Sequence, residues 1–261
     1  MRRRHRFTAL VTGAAAGLGR AIATELVLRG GAVVCIDIDG ARLTDALAEL
    51  SDIGTAWPVK ADLRDRDECR SAVDEALDLA GELHVVVNNA AVARHESPQA
   101  ISIESVRDVF AVNFFAPVMI STIVLPAMID NHRGSIINVA SVAGHIPTPF
   151  EATYGASKAA LWRWSHNLDM ELRGSGVRVS TLSPGPMDTD IWDKDGSRDS
   201  YGGKLYPPQL VAKAAARLIT HPKTQRTVPG HFALPSVVYS LATRPTRWAL
   251  RQFSARHPHP N

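Results

Sequence analysis

Tyr154 and Lys158 stand four residues apart in Tyr154-Gly-Ala-Ser-Lys158, and Ser141 lies thirteen residues before the tyrosine. On a helix, positions i and i+4 share a face, so a phenol and an ammonium at this spacing point into one site. A free tyrosine titrates near ~10 and is a poor base at neutral pH. A neighbouring ammonium favours the phenolate and is expected to lower that value. A serine hydroxyl donates and accepts, so Ser141 can hold a substrate oxygen beside the phenol. Together the three can move a proton on and off an alcohol oxygen. Tyr-x-x-x-Lys alone is a common pattern, and a surface tyrosine over a lysine stem is its ordinary explanation.

The start of the chain changes that balance. Thr12-Gly-Ala-Ala-Ala-Gly-Leu-Gly19 follows the apolar run Phe7–Val11 and precedes a helical pattern from Arg20 to Leu28. Strand, glycine-rich turn and helix form the context in which such a pattern binds phosphate. Gly13, Gly17 and Gly19 let the backbone turn tightly and approach a pyrophosphate, and the helix N-terminus offers free N–H groups. A second strand, Ala32–Ile36, ends at Asp37, eighteen residues beyond Gly19. A carboxylate there accepts from both adenosine ribose hydroxyls and repels a 2′-phosphate. Ile38 and Ala16 put no cation beside it, so the expected cofactor is NAD, with NADP less favoured.

The ordered motifs resemble the short-chain dehydrogenase/reductase family, in its compact branch of roughly 250 residues, from about Phe7 to about Thr189. The resemblance implies a cofactor site built from Gly13, Gly17, Leu18, Gly19 and Asp37. To these it adds Asp62 and Leu63 at the adenine, and Asn89 and Ala90 within Asn88-Asn-Ala-Ala91. Tyr154 and Lys158 also belong to it, as do Pro184, Gly185 and Thr189 near the nicotinamide. It implies Asn113, Ser141, Tyr154 and Lys158 as the catalytic set. Ala91 stands where the family carries glycine, a departure that adds one methyl near the cofactor.

Asn113 lies inside a helical pattern running from about Ile103 to Asp130, and Pro117 stands four residues on. Proline has no N–H for the Asn113 carbonyl, so a kink and a free carbonyl are expected there. The family is thought to seat a water on that carbonyl and relay protons to the lysine; a kink that only shapes packing is the plainer reading.

The remaining elements alternate. Strands are expected at Trp57–Lys60, Leu83–Val87, Ser135–Val139 and Val177–Leu182, and a helix from Thr153 to about Arg173 carries Tyr154 and Lys158. Alternation of this kind predicts an α/β fold: a doubly wound, Rossmann-like parallel sheet with helices on both faces and ligands at the carboxyl strand ends. With no repeat or linker, one domain over residues 1–261 is expected, with a substrate lid near 186–210 and a variable segment at 231–261.

Composition narrows the classes. The chain has 261 residues, 45% hydrophobic, with a formal net charge of +3, enough for a large core. The basic cluster Arg2–Arg6 is a solvated tail, and nucleic-acid binding would need a broader basic face with stacking aromatics. Arg2–Arg6 with the following apolar stretch imitates a signal peptide, but the same residues supply the first strand and phosphate loop, so secretion is rejected. No run reaches the ~20 consecutive apolar residues of a bilayer span. Cys35 and Cys69 make no disulfide framework, and a reduced, cytoplasmic interior is expected. The histidines form no metal-ligand spacing, so no metal is expected.

Several other residues are weighed as follows. His145 is expected as polar lining of the pocket. Asp188, Asp190, Asp193 and Asp195 are read as the solvated side of the lid rather than a cation site. Trp162 and Trp164 are candidates for burial between protomers of a homodimer or homotetramer, since the family commonly uses this helix as an interface. The segment after Pro184, through Trp192, Tyr201 and Tyr206, and the loop Ile146–Phe150 should set specificity, and their apolar character suits a lipophilic secondary alcohol. The expected reaction is NAD-linked oxidation of such an alcohol or the reverse. An NADPH-dependent reductase of 3-oxoacyl or other ketones is the enzymatic alternative, and a cofactor-sensing binding protein without turnover the alternative of another class. From His231 to His257 the chain mixes apolar residues with Arg244, Arg247, Arg251 and Arg256. Packing over the lid or a neighbouring subunit is favoured there over peripheral contact with an anionic membrane.

Overall fold

The computed structural model describes residues 6–192 and 203–241. Seven parallel strands form one sheet in the order β3-β2-β1-β4-β5-β6-β7. They are β1 (Phe7–Thr12), β2 (Gly31–Asp37), β3 (Thr55–Lys60), β4 (Val85–Asn88), β5 (Gly134–Val139), β6 (Val177–Pro184) and β7 (Gln225–Val228). The order reverses direction after β1, so β1 and β4 flank a switch point, where α/β sheets open a crevice for ligands.

Strand residues alternate between two cores, as the two-residue period of a strand requires. Ala9, Val11, Val33, Cys35, Val85 and Val87 face one core, shared with α1 (Gly17–Leu28), α2 (Gly40–Ile53) and α7 (Gln209–Thr220). Leu10, Val34, Ile36, Val86 and Ile136 face the other, which receives α3 (Arg66–Ala80), α5 (Ala116–Asp130) and the end of α6 (Ala152–Glu171). Helices on both faces leave the strands buried on both sides, which is why they read as near-continuous Val, Ile and Ala runs. The helices start where local chemistry permits. Asp39 accepts from Arg42 N–H, Asp65 from the N–H groups of Asp67 and Glu68, and Ser102 from Ser105 N–H at the head of α4 (Ile103–Phe110). Each cap occupies donors that the first turn leaves unpaired.

The expected kink between Ile103 and Asp130 takes a different form. Residues Ala111–Phe115 make one wider turn, with Ala116 N–H bonded to the Ala111 carbonyl, and α5 restarts at Ala116. Pro117 thereby falls in a first turn, where its missing N–H costs little. An i→i+5 turn absorbs the missing bond without a sharp bend. The whole Ile103–Asp130 run is long and apolar enough to cross a bilayer, with a mean hydropathy of 2.0 over its best window, although the sequence shows no uninterrupted apolar stretch of that length. In the fold half of that window is buried, and Ile120, Val124 and Met128 pack under the sheet with Cys69 and Val73 of α3. Both cysteines are free and buried. Burial, then the Asp37 charge, pushes the Cys35 thiol up to about 12, and burial pushes Cys69 up to about 11.

The α7 helix and β7 have no counterpart in the sequence expectations, whereas α8 (Ala233–Leu241) matches the first of the two short helical pieces that Pro245 is expected to divide in the segment from His231 to His257. Asp193, Asp195 and Tyr201 lie outside the described residues, as does the tail beyond Leu241 with Pro245 and the arginines from Arg244 onward.

Candidate active site

The carboxyl ends of the strands open into a cavity of about 730 Å³, and every residue expected at the cofactor lines it. Gly13, Gly17, Leu18, Gly19, Asp37, Asp62, Leu63, Asn89, Ala90, Tyr154, Lys158, Pro184, Gly185 and Thr189 all reach it. Thr12, Ala14 and Asn88 stay behind the wall. Thr12 accepts from the N–H groups of both Asn89 and Ala90 at 3.0 Å through its hydroxyl. Asn88 donates at 2.7 Å to Asn138, its registered partner on β5, and Asn138 donates to Ser165 on α6. These buried amides fix β4, β5 and α6 relative to one another.

At the cofactor end, the backbone makes the cradle. Gly13 has a φ of 66°, and a side chain on Gly19 would run into the Gly13 carbonyl oxygen. Only glycine allows that approach. Asn89 closes the turn by donating to the Thr12 carbonyl at 2.9 Å. Asp37 accepts from Ala15 N–H at 2.9 Å and from Asp39 N–H at 3.0 Å, which aims its carboxylate at the groove. Such a cradle, with an acid at the end of β2, fits the pyrophosphate and ribose of a dinucleotide. Two cations missed from the sequence share this end. Arg64 forks onto Asp62, holding that carboxyl below its ordinary range through the hydrogen bonds, against a smaller opposing effect of burial. Arg42, on α2, pairs with Asp190 at 2.6 Å. The sequence signal was an arginine one turn into the helix after Asp37, but its reach to Asp190 spans 148 positions and no local pattern encodes it.

At the other end, α6 presents Tyr154 and Lys158 on one face. Ser141, at the head of a short turn after β5, hydrogen-bonds the Tyr154 hydroxyl and also accepts from Ala143 N–H at 3.2 Å. Lys158 is 1% exposed, and its ammonium donates to the Val139 carbonyl at 2.9 Å. The expected depression of the tyrosine by Lys158 is reversed. Burial, then the nearby Glu151 charge, raises Tyr154 above its ordinary value, while the Ser141 bond pulls the other way. The reason lies in the lysine. Burial alone lowers Lys158 from 10.5 to about 7, so at neutral pH it lends only part of a charge.

Asn113 is fully buried and does not line the cavity. Its side chain accepts from Val92 N–H at 2.8 Å and donates to the Val92 carbonyl and the Ser157 hydroxyl, each at 3.0 Å. It therefore ties the loop after β4 to α6, one residue from Lys158. His145 turns away from the cavity, contrary to expectation: it meets Ser183 at 2.9 Å and stacks edge-on against Trp162. Trp162 in turn donates to Gln225 of β7 at 3.1 Å, so its indole is taken up within the chain. Among the described residues no cluster of His, Cys, Asp or Glu has metal-ligand geometry.

Phe232 is the substrate-side residue that sequence reasoning missed. It follows β7, lines the cavity, and stands so close to Gly185 that a Cβ there would lie 2.8 Å from its ring. Tyr206 packs edge-on against Phe232 and pairs with Met187 across the lid. Ile146 and Phe150 supply the opposite wall, as expected.

Comparison with known proteins agrees with this geometry. The short chain dehydrogenase family profile matches residues 7–200. Sulfoacetaldehyde reductase 2 of Chromohalobacter salexigens is 32% identical over 250 residues, covering 94% of this chain and 96% of that protein. The structure of a 3-ketoacyl-(acyl-carrier-protein) reductase from Brucella melitensis complexed with NADH superposes with a TM-score of 0.78 at 28% identity, covering 86% and 97% of the two chains. A short-chain dehydrogenase from Sphingobium yanoikuyae in complex with NADPH gives 0.81 at 26% identity, covering 94% and 95%. With its ordered motifs gathered on one rim of a doubly wound sheet, this chain belongs to the short-chain dehydrogenase family of oxidoreductases that act on alcohol and ketone groups.

Proposed function

We propose that the chain oxidises a lipophilic secondary alcohol with NAD, using Ser141, Tyr154 and Lys158 as its acid–base apparatus. One observation carries this reading: the Ser141 and Tyr154 hydroxyls are hydrogen-bonded at the cavity wall, with the Lys158 ammonium one helical turn along. NAD, when bound, supplies the hydride acceptor. The glycine cradle and Asp37 would hold its pyrophosphate and adenosine ribose, Asp62 its adenine, and Lys158 its second ribose. Ser141 orients the substrate oxygen, and Tyr154 takes the hydroxyl proton as general base. For a phenol raised by burial to act so, a positive charge must be near it in the working complex, and Lys158 is the side chain positioned to carry one. The Asn113 carbonyl, opposite Pro117 in the widened turn, is the proposed end of a proton relay to Lys158. Ile146, Phe150, Met187 and Phe232 give the substrate end an apolar wall, suited to a steroid, terpenoid or fatty chain.

A second reading has specific support. A tyrosine raised above its ordinary value keeps its proton at neutral pH, which suits acid catalysis of ketone reduction, and Arg42 beside Asp37 could pair with a 2′-phosphate. That reading is NADPH-dependent reduction of a 3-oxoacyl or other ketone; among the similar structures, one is named a 3-ketoacyl-(acyl-carrier-protein) reductase, in complex with NADH, and another is a short-chain dehydrogenase in complex with NADPH. Assays of a secondary-alcohol panel with NAD and of the matching ketones with NADPH separate the two by which direction and cofactor give the higher kcat/KM. No cofactor turnover in either direction would leave the binding-protein alternative. A homodimer or homotetramer is part of the proposal, supported by the exposed Phe115 and the half-buried Trp164; a monomer in sedimentation experiments would remove it.

A further inference from the structure

Two polar side chains, His95 and Glu151, line the cavity and have no part in the proton transfer described above. His95 Nε2 lies 3.1 Å from Glu151 Oε1, with side chains 12% and 9% exposed, and both residues line the cavity. Desolvating an ion pair costs much of what its attraction returns, so a pair buried here is weak evidence of a stabilising role. A pin between these two loops exists without it, since Glu96 N–H bonds the Phe150 carbonyl at 3.0 Å and the Ser105 hydroxyl holds the Glu96 carboxylate at 2.6 Å. Phe150 has a φ of 63°, a left-handed conformation that a phenylalanine adopts only under constraint. That strained residue sets the direction of the chain just before Glu151.

Glu151 immediately precedes α6 and stands three residues before Tyr154, while Lys158 stands four residues after it. Residues three or four apart on a helix lie roughly 5–6 Å apart at Cβ. Glu151 is the residue that caps that helix, on the opposite side of Tyr154 in the chain from Lys158. Its charge is near enough to act on the Tyr154 phenol. A carboxylate accepts several hydrogen bonds, and His95 takes one.

We propose that Glu151, held by His95, recognises a second hydroxyl on the substrate, carried two or three carbon–carbon bonds from the carbinol carbon. This rests on the alcohol–ketone oxidoreductase reading above. A hydroxyl fits better than an ammonium, because a cation would be desolvated against Phe150 and Phe232. A carboxylate in that place would face Glu151. A substrate lacking the second hydroxyl leaves His95 and Glu151 bonded to each other, so the discrimination is about tenfold, well short of the thousands seen where a site is left unpaired.

The test compares octan-2-ol with octane-2,4-diol, with cofactor saturating. The wild-type ratio of kcat/KM, diol over mono-ol, is expected at about ten or above. It should fall towards one in Glu151→Met and in His95→Phe, through a raised KM for the diol. Glu151→Met keeps the side-chain length while removing the oxygens that accept the hydroxyl, and carries the test alone if His95→Phe does not fold. A wild-type ratio near one, or a high ratio unchanged in the variants, overturns the proposal and leaves the pair as a loop contact. Turnover of neither alcohol by the wild type fails the dehydrogenase reading itself; equal turnover of both keeps that reading and removes only the recognition of a second hydroxyl.

Discussion

In the cofactor half of the cavity, the backbone makes the fit: Gly13 with its positive φ, Gly19 against the Gly13 carbonyl, and Asp37 accepting from Ala15 and Asp39. In the substrate half, side chains from four separate segments make it. These are His95 after β4, Ile146 to Glu151 after β5, Met187 after β6 and Phe232 after β7. The first half is strict about residue type, because a turn with no room for a Cβ admits few alternatives. The second is distributed and permissive, because an apolar wall can be built from many side chains. One fold can therefore keep its cofactor chemistry while its substrate changes. Lys158 is the joint between the two halves, buried in the wall at 1% exposure with its charge disfavoured by that burial.

That difference can be broken at its joint. Lys158→Ala should cost turnover by about 10²–10⁴, the range of general acid–base contributions, and also weaken NAD binding, as stopped-flow turnover and cofactor titration would measure. Unchanged NAD affinity would confine the lysine to the substrate half.

The cofactor half can be retuned without touching the other. Asp37→Ala combined with Ile38→Arg should shift the NADP/NAD ratio of kcat/KM by about tenfold or more, since a carboxylate facing a phosphate costs a kcal/mol or more even when screened. Arg42 gives a control. If Arg42→Ala alone abolishes NADP use by the wild type, Arg42 rather than position 38 is the phosphate contact.

The substrate half depends on a buried lock. Asn113→Ala leaves the Val92 N–H and carbonyl and the Ser157 hydroxyl without their partner, so stability should fall by about 1–3 kcal/mol, read as a lower midpoint in urea. The backbone carbonyl proposed for the proton relay survives this change, so turnover per folded molecule should fall much less than in Lys158→Ala.

The last effect is a pH slope. Below about 7 Lys158 is protonated in both the folded and unfolded chain, and burial of that charge works against folding. Between about 7 and 10.5 the unfolded chain binds a proton at this lysine that the folded chain does not, so the contribution of Lys158 to stability rises with pH across that window, opposed above about 9 by the buried Cys35 and Cys69 thiols. Lys158→Met should flatten this part of the profile, which equilibrium unfolding at several pH values would show.

Legibility followed the same division. The glycine turn, Asp37, the serine, the tyrosine and the lysine were readable because each depends on neighbours within a few residues, and strand alternation follows from burial on both faces. The widened turn at Ala111–Phe115 was half readable: Pro117 announces a missing hydrogen bond but not how the helix absorbs it. The direction of the Tyr154 shift was misread, because spacing shows which charge is near and not how deeply it is buried. Phe232, Arg42 and the His95–Glu151 pair could not be found at all. Their partners lie tens of residues away or more, in segments without periodic pattern, and only the sheet order brings them together.

Tyr154→Phe tests the central claim most directly. The ring, its packing and the neighbouring Lys158 remain, and only the titrating oxygen is lost. Turnover of a secondary alcohol with NAD should fall by about 10²–10⁴, while the dissociation constant for NAD stays within about twofold, since phenylalanine keeps the ring's contacts. A Tyr154→Phe protein that retains most of its turnover would contradict the account, whatever the other variants do.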